Sequence, residues 1–206
     1  LIPDHYFLFP SLIIKNPKHL KSSAGFDAIA QSVESLISIK SNKTSLYYAK
    51  KSLELSLTNY LPFVKKPNLE NSNKMLISSN LAGKAINISK TTAPHAVSYP
   101  FSSMFGISHG HAVSLTFEKF LLFNYLNLNR SLSSFNLNNR YKIIFKLFKV
   151  KNINELCQKI KYIKYQANLS DSFTKLGINI SASSDKILNQ VNTLRLKNNP
   201  VMLTKN

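Results

Sequence analysis

The chain has little of what several protein classes need. Its single cysteine, Cys157, excludes an internal disulfide and favours a reducing compartment, the cytoplasm. Its five glycines form no glycine-rich phosphate loop. Its apolar runs, such as residues 120–123, are far too short to span a membrane. We therefore expect a cytoplasmic protein with no membrane partner, in which nucleotide phosphates are not bound by this segment.

Acidic residues and arginines are also scarce. The chain has nine acidic and 27 basic residues and therefore a net charge of +18. Such a charge is typical of proteins that bind nucleic acid. Only three of the 27 are Arg, the residue best suited to phosphates and bases, and abundant Asn and Ile indicate an A+T-rich genome that favours Lys codons. The densest stretch, residues 140–151, alternates Lys with apolar residues at helical spacing. It predicts a solvated helix face, with an anionic surface or nucleic acid as alternatives.

What is present is a helical pattern over most of the chain. A hydrophobic fraction of 44% and 13 Phe support one globular core. Apolar spacing and capping residues predict helices at about 22–39, 42–60 (ended by Pro62), 68–88, 113–125, 138–150, 153–166 and 185–196. In the third of these helices, the small residue Gly83 predicts a close crossing with another helix.

The first residues have a different pattern. Residues 6–14, YFLFPSLII, predict a buried strand interrupted by Pro10. Because a lone strand cannot bury itself, we expect it to need a sheet from elsewhere. The sequence therefore predicts a strand and linker remnant at 1–21 and an all-helical domain at 22–206.

Three potential metal ligands lie in strongly patterned segments. Asp27 lies near a helix start in AGFDAIAQ, His95 in TTAPHAVSYP and His109 in ISHGHA. A carboxylate with two imidazoles suits a divalent first-row metal with open positions. Gln31, four residues after Asp27, projects from the same helix face. By itself, Asp27 could instead stabilise the helix N-terminus.

These segments resemble the iron-containing (group III) alcohol dehydrogenase family. SSAGFDAIAQSVESLISIKSN resembles the segment that supplies two ligands four residues apart, and APHAVSYPFSSMFGISHGHAVSL the one that supplies the third and fourth. NNPVMLT resembles the Asn-Pro turn before the last family helix. The resemblance implies a mainly α fold, the helical metal domain of the dehydroquinate synthase-like architecture. It also implies an N-terminal α/β nucleotide-binding domain outside this chain and a further C-terminal helix.

The resemblance implies Asp27, Gln31, His95 and His109 as the ligands, with two departures. The family usually has His where Gln31 stands. We therefore expect that the amide binds the metal weakly, that a water replaces this ligand, or that a different metal is preferred. The family also usually has a second His where Tyr99 stands. Tyr99 is then a candidate proton donor or nicotinamide neighbour, or a packing residue. His111 is expected to support a ligand or contact the substrate rather than to bind the metal. Glu34 is expected to point to another sector of the helix, in a supporting or structural role.

The activity implied is hydride transfer between a nicotinamide cofactor, NAD(H) or NADP(H), and an aldehyde or primary alcohol. A divalent metal, with Fe²⁺ ahead of Zn²⁺ and Mn²⁺, polarises the substrate oxygen. The segment SKTTAPHAVSYPF most resembles the phosphonoacetaldehyde branch. The candidate contacts to a phosphonate are Lys84, Lys90, Thr91 and Thr92. A homodimer is expected for the whole protein, whereas this segment by itself should be inactive.

Two other functions remain open from the sequence. A lyase of the dehydroquinate synthase type shares the architecture, but that group has Glu at the first ligand position, which Asp27 and Gln31 argue against. A non-catalytic basic binding module would need positive charge confined to one face. A carboxylate–histidine cluster in a cleft would argue against it.

Overall fold

A computed structural model describes residues 5–203, which are mainly helical. Within them the only extended pairing is an isolated antiparallel bridge between Ser131 and Val201. The helices are α1 Pro10–Ile14, α2 Lys18–Ile37, α3 Lys43–Lys65, α4 Leu69–Ser89, α5 Ala93–Phe105, α6 His109–Ser114, α7 Phe117–Leu126, α8 Leu137–Phe148, α9 Ile153–Gln166, α10 Ile180–Asn189 and α11 Thr193–Leu196. The mainly α fold expected from the sequence is confirmed.

Helix α2 lies at the centre and is buried along most of its length. Small residues let α3 and α4 pack closely on it. Ser32 of α2 donates to the Ser52 hydroxyl of α3 at 2.7 Å, and Ser52 donates to the Ser78 carbonyl of α4 at 2.7 Å. At Gly25 an added Cβ would lie 2.5 Å from the Tyr60 ring, so only glycine lets this aromatic side chain pack there. The central helix is therefore held rigidly by its neighbours.

Two hydrophobic clusters surround the helices. The larger one contains side chains of α2, α3, α8 and α9, among them Phe26 and Tyr141. The smaller one lies between α5, α6 and α10 and consists of the buried residues Phe101, Ala112, Leu115, Ile178 and Ile187. Within residues 5–203 no helix is long and apolar enough to cross a membrane.

Most of the helix predictions are confirmed, and α9 has the expected bounds. The helix expected at 113–125 is divided into α6 and α7, since Leu115 packs in the smaller cluster and Phe117 in the larger one. The helix expected at 185–196 is likewise α10 and α11. Pro62 does not end α3, because Phe63 and Val64 behind it are buried and continue the helix to Lys65.

The strand predicted at residues 6–14 is wrong. Residues 5–9 have no regular structure and α1 begins at Pro10, a residue favoured in the first turn of a helix. Tyr6 and Phe7 are exposed rather than buried. α2 begins at Lys18, so the boundary placed after residue 21 falls inside a helix. Short apolar runs are ambiguous between helix and strand, which accounts for the error.

The prediction of a solvated basic helix face is confirmed, whereas the prediction of a close helix crossing at Gly83 is wrong. On α8, Tyr141 and Ile144 are buried while Lys142 and Lys146 are exposed, so the basic stretch is a solvated helix face. Gly83 was expected at a close helix crossing, but a Cβ there would meet no atom within 4 Å. The packing explanation for Gly83 is therefore wrong.

A buried ion-pair network fastens α9 to α7. The fully buried amine of Lys164 lies 2.7 Å from a Glu118 oxygen and 2.7 Å from an Asp171 oxygen. It also donates to the Ser114 carbonyl at 3.0 Å. Nearby, the His111 ring donates to the Ser170 carbonyl at 2.8 Å, so the segment after α9 is tied back to α6.

This network predicts a large and specific loss of stability. Lys164→Ala should lower the free energy of unfolding by about 3–5 kcal/mol, because Glu118 would keep a buried charge without its partner. The pair Lys164→Met with Glu118→Gln should cost less, because neither buried charge remains. Urea unfolding measures both, with exposed Lys161→Ala as the control, expected within about 0.5 kcal/mol of wild type. A double variant as unstable as Lys164→Ala would contradict this account.

Candidate metal centre

Three helices bring the predicted ligands together. Asp27 projects from the middle of α2, His95 from the first turn of α5 and His109 begins α6. Pro94 precedes His95, and its fixed backbone angle suits the first turn of a helix. Asp27 and His95 are 68 positions apart along the chain, and His95 and His109 are 14 apart. Only the tertiary packing of α5 and α6 on α2 makes the three residues neighbours.

The potential ligand atoms of Asp27, His95 and His109 all lie within 4.8 Å of one another. The Oδ1 atom of Asp27 is 3.1 Å from His95 Nε2 and 3.8 Å from His109 Nε2. The two histidines differ in burial, since the His95 side chain is 2% exposed and the His109 side chain is 41% exposed. The cluster therefore has a buried side and a side open to a substrate.

A second carboxylate orients His95 from behind. Glu34 is fully buried, and its Oε2 accepts a hydrogen bond from His95 Nδ1. Its Oε1 accepts from the backbone N–H and the hydroxyl of Thr92, each at 2.8 Å. With Nδ1 held by Glu34, the Nε2 atom is the one that faces Asp27. This is the carboxylate–histidine arrangement that fixes the ring and tautomer of metal-ligating histidines.

Gly110 lets α6 approach α2 closely beside this cluster. A Cβ at Gly110 would lie 2.0 Å from the Ser23 carbonyl oxygen and 2.9 Å from the Asp27 Cβ. Backbone atoms cannot yield to such a contact as a flexible side chain can. The glycine is therefore required for the position of His109 next to Asp27.

The donor set fits a divalent metal ion. Neighbouring ligand atoms at 2.0–2.2 Å from one ion are about 2.8–3.6 Å apart in octahedral or tetrahedral geometry, so the widest separation here needs a closing movement of about 1 Å. Two imidazoles and one carboxylate with open positions are typical of non-haem Fe²⁺ sites, and Zn²⁺ uses the same atoms. Among residues 5–203 no other group of three such side chains meets this spacing.

Gln31 lies next to Asp27, as expected for two residues four apart on one helix. Its Nε2 donates to Asp27 Oδ2 at 2.7 Å, so it binds the carboxylate oxygen that faces away from His95. To act as a ligand, the amide would have to turn so that its oxygen faced the ion. Direct ligation by Gln31 stays a prediction.

Tyr99 lies on the other side of His109, with the two ring centroids 5.7 Å apart. The guanidinium of Arg195 also lies over the Tyr99 ring, 4.9 Å from its centroid, and donates to the Thr91 hydroxyl at 3.2 Å. Tyr99 is therefore beside the metal centre, where the sequence placed it, but packed between two neighbours. A catalytic role for Tyr99 stays a prediction.

The four predicted substrate contacts do not gather at the cluster. Thr92 is fully buried and its hydroxyl is used by Glu34, while the buried Thr91 hydroxyl accepts from Arg195. The Lys84 amine donates to the Tyr6 hydroxyl at 3.0 Å, and Lys90 donates to the Asn87 carbonyl at 2.8 Å. Nearness to His95 along the chain does not determine the direction in which a lysine side chain points.

The electrostatics of the two imidazoles differ. Burial by itself would lower the pKa of His95, but the charge of Glu34 and hydrogen bonds to Asp27 and Glu34 outweigh it and raise the pKa to about 9. Burial lowers the pKa of His109, against the attraction of Asp27. A bound metal must therefore displace a proton from His95 at neutral pH.

Sequence reasoning missed two features of the site. The prediction that Glu34 points to another sector of the helix is wrong, because Glu34 lies two helical turns after Asp27 on nearly the same face and contacts His95 directly. Lys21 lines a cavity next to Asp27, which the sequence does not predict. Nothing local distinguishes Lys21 from a surface lysine.

Comparisons with known proteins identify the family and the fold. A family model described as "Fe-containing alcohol dehydrogenase family, C-terminal" matches residues 21–206. The 4-hydroxybutyrate dehydrogenase of Clostridium kluyveri is 30% identical over 58% of this chain and 33% of its own length. The phosphonoacetaldehyde reductase of Streptomyces viridochromogenes is 26% identical over 60% of this chain and 31% of its own.

Solved structures share the fold. The sulfoacetaldehyde reductase of Bifidobacterium kashiwanohense, solved in complex with NAD⁺, has a TM-score of 0.79 and 24% identity, covering 95% of this chain and 50% of that one. The chain thus spans half of that protein, and its matched segment about a third of the curated relatives.

The raised pKa of His95 predicts a pH dependence for the metal-free protein. A protonated His95 stabilises the fold fully below its unfolded pKa of about 6.5, and this stabilisation is lost as the pH rises through about 9. An NMR titration of the imidazole should give a pKa near 9, and Glu34→Gln should lower it. Glu54→Gln, at the surface, is the control. A wild-type pKa below 6.5 would contradict the described contacts.

The close approach at Gly110 predicts a loss of metal binding. Gly110→Ala should push α6 away from α2, separate His109 from Asp27, and weaken divalent-metal binding at least tenfold by isothermal titration. Gly83→Ala is the matched control, because its Cβ meets nothing within 4 Å. It should leave metal binding unchanged and raise stability by about 0.5–1 kcal/mol. Equal metal affinity in the two variants would refute this role of Gly110.

Proposed function

Because the chain belongs to the Fe-containing alcohol dehydrogenase family, we propose that it binds the catalytic metal of an enzyme that moves hydride between an alcohol and a nicotinamide cofactor. The observation that carries the proposal is the convergence of Asp27, His95 and His109 within 4.8 Å. A non-catalytic basic module would have no need for such a cluster, and the match of the family model disfavours the lyase alternative.

In this proposal Asp27 Oδ1, His95 Nε2 and His109 Nε2 hold the metal. Gln31 either turns its amide oxygen to the ion or holds a water bound to it. The metal, when bound, supplies a Lewis acid for the substrate oxygen. Fe²⁺ is the first candidate, with Zn²⁺ and Mn²⁺ as alternatives.

In the direction of alcohol oxidation, the alcohol carbon loses a hydride to NAD⁺ or NADP⁺ and the alcohol hydroxyl loses a proton. This yields the aldehyde and the reduced cofactor. The half-exposed His109 and the neighbouring Tyr99 lie on the open side of the cluster. We place the proton's exit there, with the Tyr99 hydroxyl as its first carrier.

The substrate class we propose is a primary alcohol or its aldehyde. The names of the relatives refer to 4-hydroxybutyrate and phosphonoacetaldehyde, and phosphonoacetaldehyde is one candidate for this protein. A cytoplasmic homodimer completes the proposal. The choice between NAD and NADP is left to the assay.

The test is metal-dependent turnover by the protein expressed anaerobically in the longest form that its gene encodes. We expect about one divalent metal per chain and aldehyde-dependent oxidation of NADH or NADPH. His109→Ala should lose both at least a hundredfold, since one ligand of three is removed. His111→Ala is the matched control, because its ring contacts Ser170 rather than the cluster. Metal-independent turnover, or equal loss in both variants, would refute the proposal.

A further inference from the structure

A cavity of about 330 Å³ opens beside the Asp27–His95–His109 cluster, between α1, α2, α3, α4 and α6. Asp27 and His109 line it, so a molecule in this cavity would reach the open side of the metal centre. Lys21 of α2 lines the same cavity. The cavity therefore joins a metal site and a cationic side chain.

Lys21 is an unusual lysine because it is only 7% exposed. Its amine donates to the Ile14 carbonyl at 3.0 Å and lies 5.9 Å from the centre of the Phe63 ring. No carboxylate within residues 5–203 forms an ion pair with it. A buried ammonium that lacks a counter-charge is costly, so its environment favours an anion supplied from outside the protein.

The walls of the cavity determine the form of that anion. Phe63, Met75 and Leu76 provide apolar surface, which suits methylene groups. Lys21 precedes Asp27 by six residues of one helix, about 9 Å along its axis. A ligand that contacts both ends must therefore be several atoms long, with an apolar middle.

We propose that Lys21 binds the anionic end of the substrate while the substrate's oxygen lies at the Asp27–His109 end of the cavity. The substrate is then a short-chain alcohol or aldehyde with a carboxylate or phosphonate at its far end. This inference rests on the proposed function and narrows its substrate class. It assigns to Lys21 the role that the sequence had suggested for Lys84 and Lys90.

The competing explanation is that Lys21 only fastens α1 to the rest of the fold through Ile14. Lys21→Gln separates the two, because glutamine keeps a hydrogen-bond donor for the Ile14 carbonyl and loses the charge. Lys84→Gln is the matched control on α4, since Lys84 does not line the cavity. Thermal unfolding of both variants verifies that each is folded.

The experiment compares 4-hydroxybutanoate with 1-butanol, which has the same carbon chain and no carboxylate. In Lys21→Gln the KM for 4-hydroxybutanoate should rise at least tenfold, the scale of one lost hydrogen bond to a charged group. The KM for 1-butanol should change less than twofold. Lys84→Gln should match wild type with both. A third substrate, 3-hydroxypropylphosphonate, shows which anion is preferred, and a Lys21-dependent preference for either supports the proposal.

Two outcomes would overturn the inference while leaving the proposed function intact. One is a wild-type enzyme that shows no preference for the anionic alcohols. The other is a Lys21→Gln variant whose KM rises equally for 1-butanol. If wild type turns over no alcohol at all, the proposed function fails instead. The anion site is then decided by whether succinate raises the thermal midpoint of wild type but not of Lys21→Gln.

Discussion

The hydrogen bond between the buried Glu34 carboxylate and His95 Nδ1 is the interaction on which the site depends. Glu34 has no exposed surface, so its charge needs partners within the fold. His95 and two donors of Thr92 provide them, which joins the start of α5 to the last turn of α2. The same contact turns His95 Nε2 toward Asp27. One buried carboxylate thus stabilises the packing of two helices and determines which His95 nitrogen faces Asp27.

The rest of the fold keeps α2 fixed around that contact. Serines and Gly25 bring α3 and α4 against it, and Gly110 brings α6. Near the C-terminal end of the described chain, the Asn198 amide donates to the Thr91 carbonyl at 3.1 Å, while Ile39 donates to the Asn198 carbonyl at 3.1 Å. These bonds tie the loop before α5 to the end of α2. The candidate metal ligands therefore lie on helices whose relative positions are each fixed by more than one contact.

Much of this could be predicted from the sequence, because the information was local. Asp27, His95 and His109 lie in distinctive segments, and helical periodicity indicated most of the helices. The strand at 6–14 failed because a short apolar run fits either structure. The predicted helix crossing at Gly83 was wrong because a glycine in the sequence does not show whether another helix packs against it. Lys21 and the Glu34–His95 contact depend on helices distant in sequence, so no local pattern could indicate them.

The central claim is that Asp27, His95 and His109 bind one divalent metal ion. The most direct measurement is a crystal structure of the protein grown anaerobically with Fe²⁺, with anomalous diffraction recorded at the iron edge. The account predicts a single strong peak about 2.0–2.2 Å from Asp27 Oδ1, His95 Nε2 and His109 Nε2. A structure with iron at full occupancy elsewhere, or with no iron between these three atoms, would contradict it.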